Sequence, residues 1–87
     1  MIKGTLSSGF QYEIAEETLD NMELLDAIVD ADDNTIGITK VVRLLLGDEQ
    51  RRKLYDHLRT EKGNVPVAAV SDAVAEIFRG SGQEAKN

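Results

Sequence analysis

The sequence predicts an α+β fold, with an N-terminal β-hairpin packed on a bundle of about four helices. Three observations predict it. Apolar residues alternate with period two as far as Ile14, and after that they recur at three- and four-residue steps. Asx- and Gly-containing breaks cut the later part into four periodic segments. Hydrophobic residues make up 41% of 87 residues, enough for one core and too few residues for two. A chain this short buries roughly 60% of the surface its unfolded state exposes, so its margin of stability is thin.

The hairpin comes first. Ile2, Gly4 and Leu6 share one face of a first strand, and Phe10, Tyr12 and Ile14 share one face of a second. Ser7-Ser8-Gly9 lies between them, and Gly9 tolerates the positive φ such a return often needs. Two strands alone are marginal in water, so the apolar face must pack on the helices.

The first helix carries Leu19, Met22, Leu25, Ile28 and Val29 as its inward stripe, with Thr18 or Asp20 as its cap. Asp30-Ala31-Asp32-Asp33-Asn34 ends it. The second helix covers about 38–46, with Ile38, Val41, Val42 and Leu45 in register; it is apolar nearly all round and therefore central. Gly47 suits its C′ position and Asp48 the next cap. The third, about 49–61, is mostly charged and turns Leu54, Tyr55 and Leu58 inward, until Lys62-Gly63-Asn64 breaks it. Pro66 opens the fourth, whose stripe is Val67, Val70, Val74, Ile77 and Phe78. Residues 1–79 thus form one domain, and 80–87 read as a polar, flexible tail.

The composition excludes several classes. No cysteine means no disulfide and no thiolate metal site. No apolar run reaches the roughly 20 residues of a membrane span, and the opening residues lack the apolar stretch of a signal peptide. A net charge of −6 disfavours a dedicated nucleic-acid binder. The charge is uneven: −8 up to residue 38, +3 over 39–62 and −1 beyond. Solvated helix faces explain this in the simplest way. The sharper reading is head-to-tail contact between copies, the acidic surface of one meeting Arg43, Arg51, Arg52 and Lys53 of the next.

No catalytic or cofactor-binding set emerges. The only histidine, His57, reads as a solvated residue on the charged third helix, with Glu61 one turn on. No serine occupies a nucleophile elbow, and no Gly-rich phosphate loop is present. Asp30, Asp32 and Asn34 match the first three ligand positions of a calcium loop. Thr35 then stands where the turn needs Gly, and Val41 where the bidentate Glu belongs, so no metal site is predicted. Arg51-Arg52-Lys53 is the one basic cluster, and no aromatic interleaves with it for base stacking. Leu24, Ile36, Leu44 and Leu46 lie off the best stripes; a core filled from several sides would absorb them, and the sharper reading, an exposed patch, makes them the predicted partner-binding residues.

Gly4-Thr5-Leu6-Ser7-Ser8-Gly9-Phe10, then Tyr12 and Ile14, Met22-Glu23-Leu24-Leu25, Leu44-Leu45-Leu46-Gly47 with Leu54-Tyr55 and Leu58, and Val65-Pro66-Val67 leading to Ile77-Phe78 resemble, in that order, the tail assembly chaperones of long-tailed bacteriophages and prophages. The resemblance spans about residues 3 to 79. It implies a small, mostly helical, non-enzymatic protein of the bacterial host cytoplasm, absent from the mature virion. Such a protein coats the tape-measure protein, keeps it soluble and helps tail-tube subunits assemble, acting as many self-associating copies. It implies no catalytic residues and no cofactor. A longer, frameshifted form that reaches the tail-tube protein is common in such phages, and Ala85-Lys86-Asn87 is encodable by the slippery heptamer A AAA AAC. The alternative is a small regulatory or adaptor domain of a mobile element, one that contacts nucleic acid through Arg51, Arg52 and Lys53.

Overall fold

The structure, a computed structural model, describes residues 1–86, with side chains as far as Gly80. Strands β1 (Ile2–Thr5) and β2 (Gln11–Ile14) pair antiparallel, Ile2 opposite Ile14 and Thr5 opposite Gln11. Gly9 makes the return at φ 96°, and the Leu6 N–H donates to the Phe10 carbonyl at 2.8 Å. The alternation holds: Tyr12 and Ile14 are buried, while Gln11 and Glu13 face solvent. A one-turn helix α1 (Glu16–Leu19) leads into α2 (Met22–Asp33). Asn21 caps α2, its Oδ1 accepting the Glu23 N–H at 3.0 Å. That corrects the expected cap at Thr18 or Asp20: the extra turn of α1 moves the helix start onward, and Asn21 has the extended backbone a cap requires.

A 3₁₀ turn (Thr35–Gly37) joins α2 to α3 (Ile38–Leu58), and α4 (Val67–Lys86) closes the chain. The expected second and third helices are the two arms of α3, broken at Gly47, where φ is 75° and ψ is 174°. The second arm ends at Leu58 rather than near 61, because Arg59 turns extended and the Thr60 N–H closes a loop onto the Asn64 carbonyl. The tail expected at 80–87 is instead the end of α4, which runs to Lys86, while Asn87 lies outside the described residues.

The core is one cluster. Val41, Val42, Leu45, Leu46 and Leu54 of α3 lie at its middle, with Ile14, Leu24, Val70, Val74 and Ile77 packed round them. α2, α4, β2 and both short helices lean on α3, as its all-round apolar sequence requires.

Polar contacts fasten the hairpin to the helices. Gln50 stands where a third strand would pair with β2: its Oε1 accepts the Glu13 N–H at 2.8 Å and its Nε2 donates to the Glu13 carbonyl at 2.7 Å. The same Nε2 reaches the Leu46 carbonyl at 3.1 Å, beside the helix break. Glu76 of α4 accepts both the Ser7 N–H and the Ser7 hydroxyl. His57 lies 2.9 Å from the Ser8 carbonyl through Nε2, with its ring tilted against Phe10 at 5.7 Å between centroids. His57 is solvent-exposed, as the sequence predicts, and from the surface it also makes this contact to the return. The hairpin return folds back over the end of α3, a contact 49 residues apart in sequence.

Candidate partner-binding surface

α2 decides where apolar surface reaches solvent. Its core face is Leu24 and Ala27, with Ile28 and Ala31 half-buried beside them. Of the stripe expected to point inward, Leu19 and Ile28 pack against the core, while Met22, Leu25 and Val29 face solvent, 69%, 51% and 65% exposed. The two faces lie on opposite sides of a helix that advances about 100° per residue. Counting large side chains favours Met22, Leu25 and Val29. Close packing favours the face with two alanines, because small residues let the α2 backbone approach its neighbours. Gly37 shows how close that approach is. An added Cβ there would lie 3.0 Å from the Ala31 backbone.

The four predicted partner-binding residues do not form one surface. Leu24, 1% exposed, is core, which corrects its assignment as a surface anchor. Leu46, 6% exposed, is core as well. It lies off the stripe that faces α2 and α4, but α3 is covered on its other side too, by β2 and α1. Leu44 is half-buried and lines, with Leu46, Phe10 and Ile14, an open cleft of about 640 Å³ between hairpin and α3. Ile36 is exposed on the 3₁₀ turn, on the α2 side of the molecule.

That α2 side holds the surface sequence reasoning missed. Met22, Leu25 and Val29 follow each other at i, i+3 and i+7. Val29 is also a wall of a second cleft of about 450 Å³, shared with Ile28, Ala31, Ile38, Val74 and Phe78. Thr35 and Ile38, either side of Ile36, line the same cleft. Scattered exposed apolar residues are ordinary. A row beside an apolar cleft is not, since burying each side chain is worth about 1.5–3 kcal/mol. The signal was present in the sequence as two competing apolar arcs on one helix.

The predicted self-association residues are divided. Arg51 is half-buried, 3.4 Å from Asp48 and stacked over the Tyr55 ring at 5.6 Å; its Nε is buried without a hydrogen-bond partner. Lys53 pairs with Glu49 at 3.4 Å. Arg43 and Arg52 are exposed and make no ion pair among the described residues. The cluster Arg51-Arg52-Lys53 is therefore no continuous basic face.

Asp30 and Asp32 stand exposed on the last turn of α2, while the Asn34 Oδ1 accepts the Ile36 N–H at 3.0 Å and caps the 3₁₀ turn. No described helix is long and apolar enough to cross a membrane. The chain matches no protein-family model, no curated protein and no solved structure.

Proposed function

We propose that this chain is a non-enzymatic chaperone of phage tail assembly, which binds an apolar segment of the tape-measure protein, keeps it soluble and assists tail-tube assembly in the bacterial cytoplasm without entering the virion. The observation that carries the reading is the uncovered apolar row of α2 beside a cleft, on an otherwise acidic domain. A groove-binding contact of this kind takes affinity from apolar anchors, while the net charge of −6 keeps the loaded protein in solution. The ordered motifs that resemble tail assembly chaperones supply the identity of the partner.

Many copies on one long partner hold it by avidity, each contact being modest. Contact between copies uses the bases left open, Arg43 and Arg52, against acidic surface of the next copy. A frameshifted longer form would add the tail-tube protein as a second partner. The adaptor alternative would draw on Arg51, Arg52 and Lys53, of which Arg51 is half-buried against Asp48 and the Tyr55 ring.

Co-expression with the cognate tape-measure protein tests the proposal. The tape-measure protein alone should aggregate, and with this chain it should stay in solution and co-purify. A soluble tape-measure protein without the chain, or an insoluble one with it, defeats the reading.

A further inference from the structure

The exposed face of α2 is apolar along its middle and acidic along its edges. Asp26, Asp30 and Asp33 run up one side of the Met22–Leu25–Val29 row, and Asp32 stands on the other. α2 contains no Lys or Arg. None of its carboxylates is in an ion pair among the described residues. The row opens at Val29 into the cleft walled by Ile38, Val74 and Phe78. An apolar row between carboxylate edges is complementary to a helix whose own apolar stripe lies between cationic rows.

We propose that the α2 face and the adjoining cleft dock an amphipathic helix of a partner protein whose apolar stripe is flanked by Lys and Arg. This rests on the chaperone reading for its premise that a protein segment covers the face, and it names the surface and the chemistry of that segment. A second copy of this chain fits worse. Two α2 faces related by a two-fold axis set their aspartate rows against each other. The chain's own open bases on α3, Lys40, Arg43 and Arg52, have no exposed large apolar side chain beside them on that helix. From Met22 to Val29 is two turns, about 10 Å of axis, which accommodates two or three partner anchors spaced i, i+3 or i+4, and i+7.

Three synthetic peptides of about 18 residues, long enough for a helix to form on docking, test this against the full chain by fluorescence anisotropy. One places Lys rows beside a Leu stripe; one replaces Lys by Glu; one scrambles the first. The Lys–Leu helix should bind at least about tenfold tighter than either control, and raising salt should weaken it. Leu25→Ser with Val29→Ser should cut its affinity about tenfold, with an unchanged melting temperature because both side chains are exposed. Asp26→Asn with Asp30→Asn should weaken it and flatten the salt dependence. Equal binding of the Glu–Leu or scrambled peptide overturns the proposal. So does undiminished binding by the Leu25/Val29 variant, or that variant turning an oligomer into a monomer, which would assign the face to a second copy. If the Lys–Leu helix docks as stated but the tape-measure protein still aggregates, the chaperone reading falls and this surface stands. If the tape-measure protein is rescued equally by the Leu25/Val29 variant, the surface falls and the chaperone reading stands.

Discussion

Gly47 holds a backbone conformation, φ 75° and ψ 174°, that only glycine adopts readily. A Cβ at that position meets nothing, so the cost of replacing it is purely conformational. Gly47→Ala should destabilise by about 1–3 kcal/mol in denaturant melts. Gly47→Asn should cost as much. Asn relieves the left-handed helical region, where ψ is near 45°, and not this one. A harmless Asn would mean that the break relaxes to an ordinary helix C-cap. His57 acts at the same scale. Its ring bridges the Ser8 carbonyl and the Phe10 face, so His57→Ala should cost about 1 kcal/mol for the hydrogen bond alone. Amide exchange should quicken in the 6–10 return and nowhere else. Exchange spread over the whole domain would place His57 in global stability instead.

The facing of α2 belongs to the element scale. Leu24 and Leu25 are adjacent in sequence and opposite in environment, 1% against 51% exposed. Leu24→Ala should cost about 2–5 kcal/mol, as a cavity in the core. Leu25→Ala should leave the melting temperature almost unchanged. Equal losses would mean that α2 is rotated in solution, with the Met22–Leu25–Val29 face turned inward. α3 permits a similar contrast between its arms. Val42 is fully buried among the other elements, so Val42→Asp places an unpaired carboxylate in the core and should unfold the domain. Circular dichroism checks it, and an unchanged melt would remove α3 from the centre of the fold.

At the scale of the whole molecule, charge and apolar surface are separated. The acids concentrate before residue 38 and the open bases lie on α3. Copies that associate through Arg43 and Arg52 should separate as ionic strength rises, since exposed charges are screened over about 10 Å at 0.1 M salt. Light scattering across a salt series reads this. Arg43→Glu with Arg52→Glu should leave a monomer, and oligomers that survive both that variant and high salt would be held by apolar contact instead.

The order of elements is legible before folding: the two-residue alternation to Ile14, the four helical segments, the break at Gly47 and the central place of Val41 to Leu46. These are local matters, because periodicity, capping and positive φ act over a few residues of chain. The sequence also marks apolar surplus, and Ile36 is indeed exposed. Which part of that surplus reaches water depends on how the elements pack. α2 carries two apolar arcs of comparable content. The choice between them fell to Ala27, Ala31 and Gly37, which let backbones approach each other, a property of the pair of surfaces rather than of either one. Leu46 was withdrawn from the surface by the hairpin, and His57 was drawn into a contact with a loop 49 residues away. Neither event leaves a trace in local spacing, because both partners belong to segments that meet only once the chain has folded.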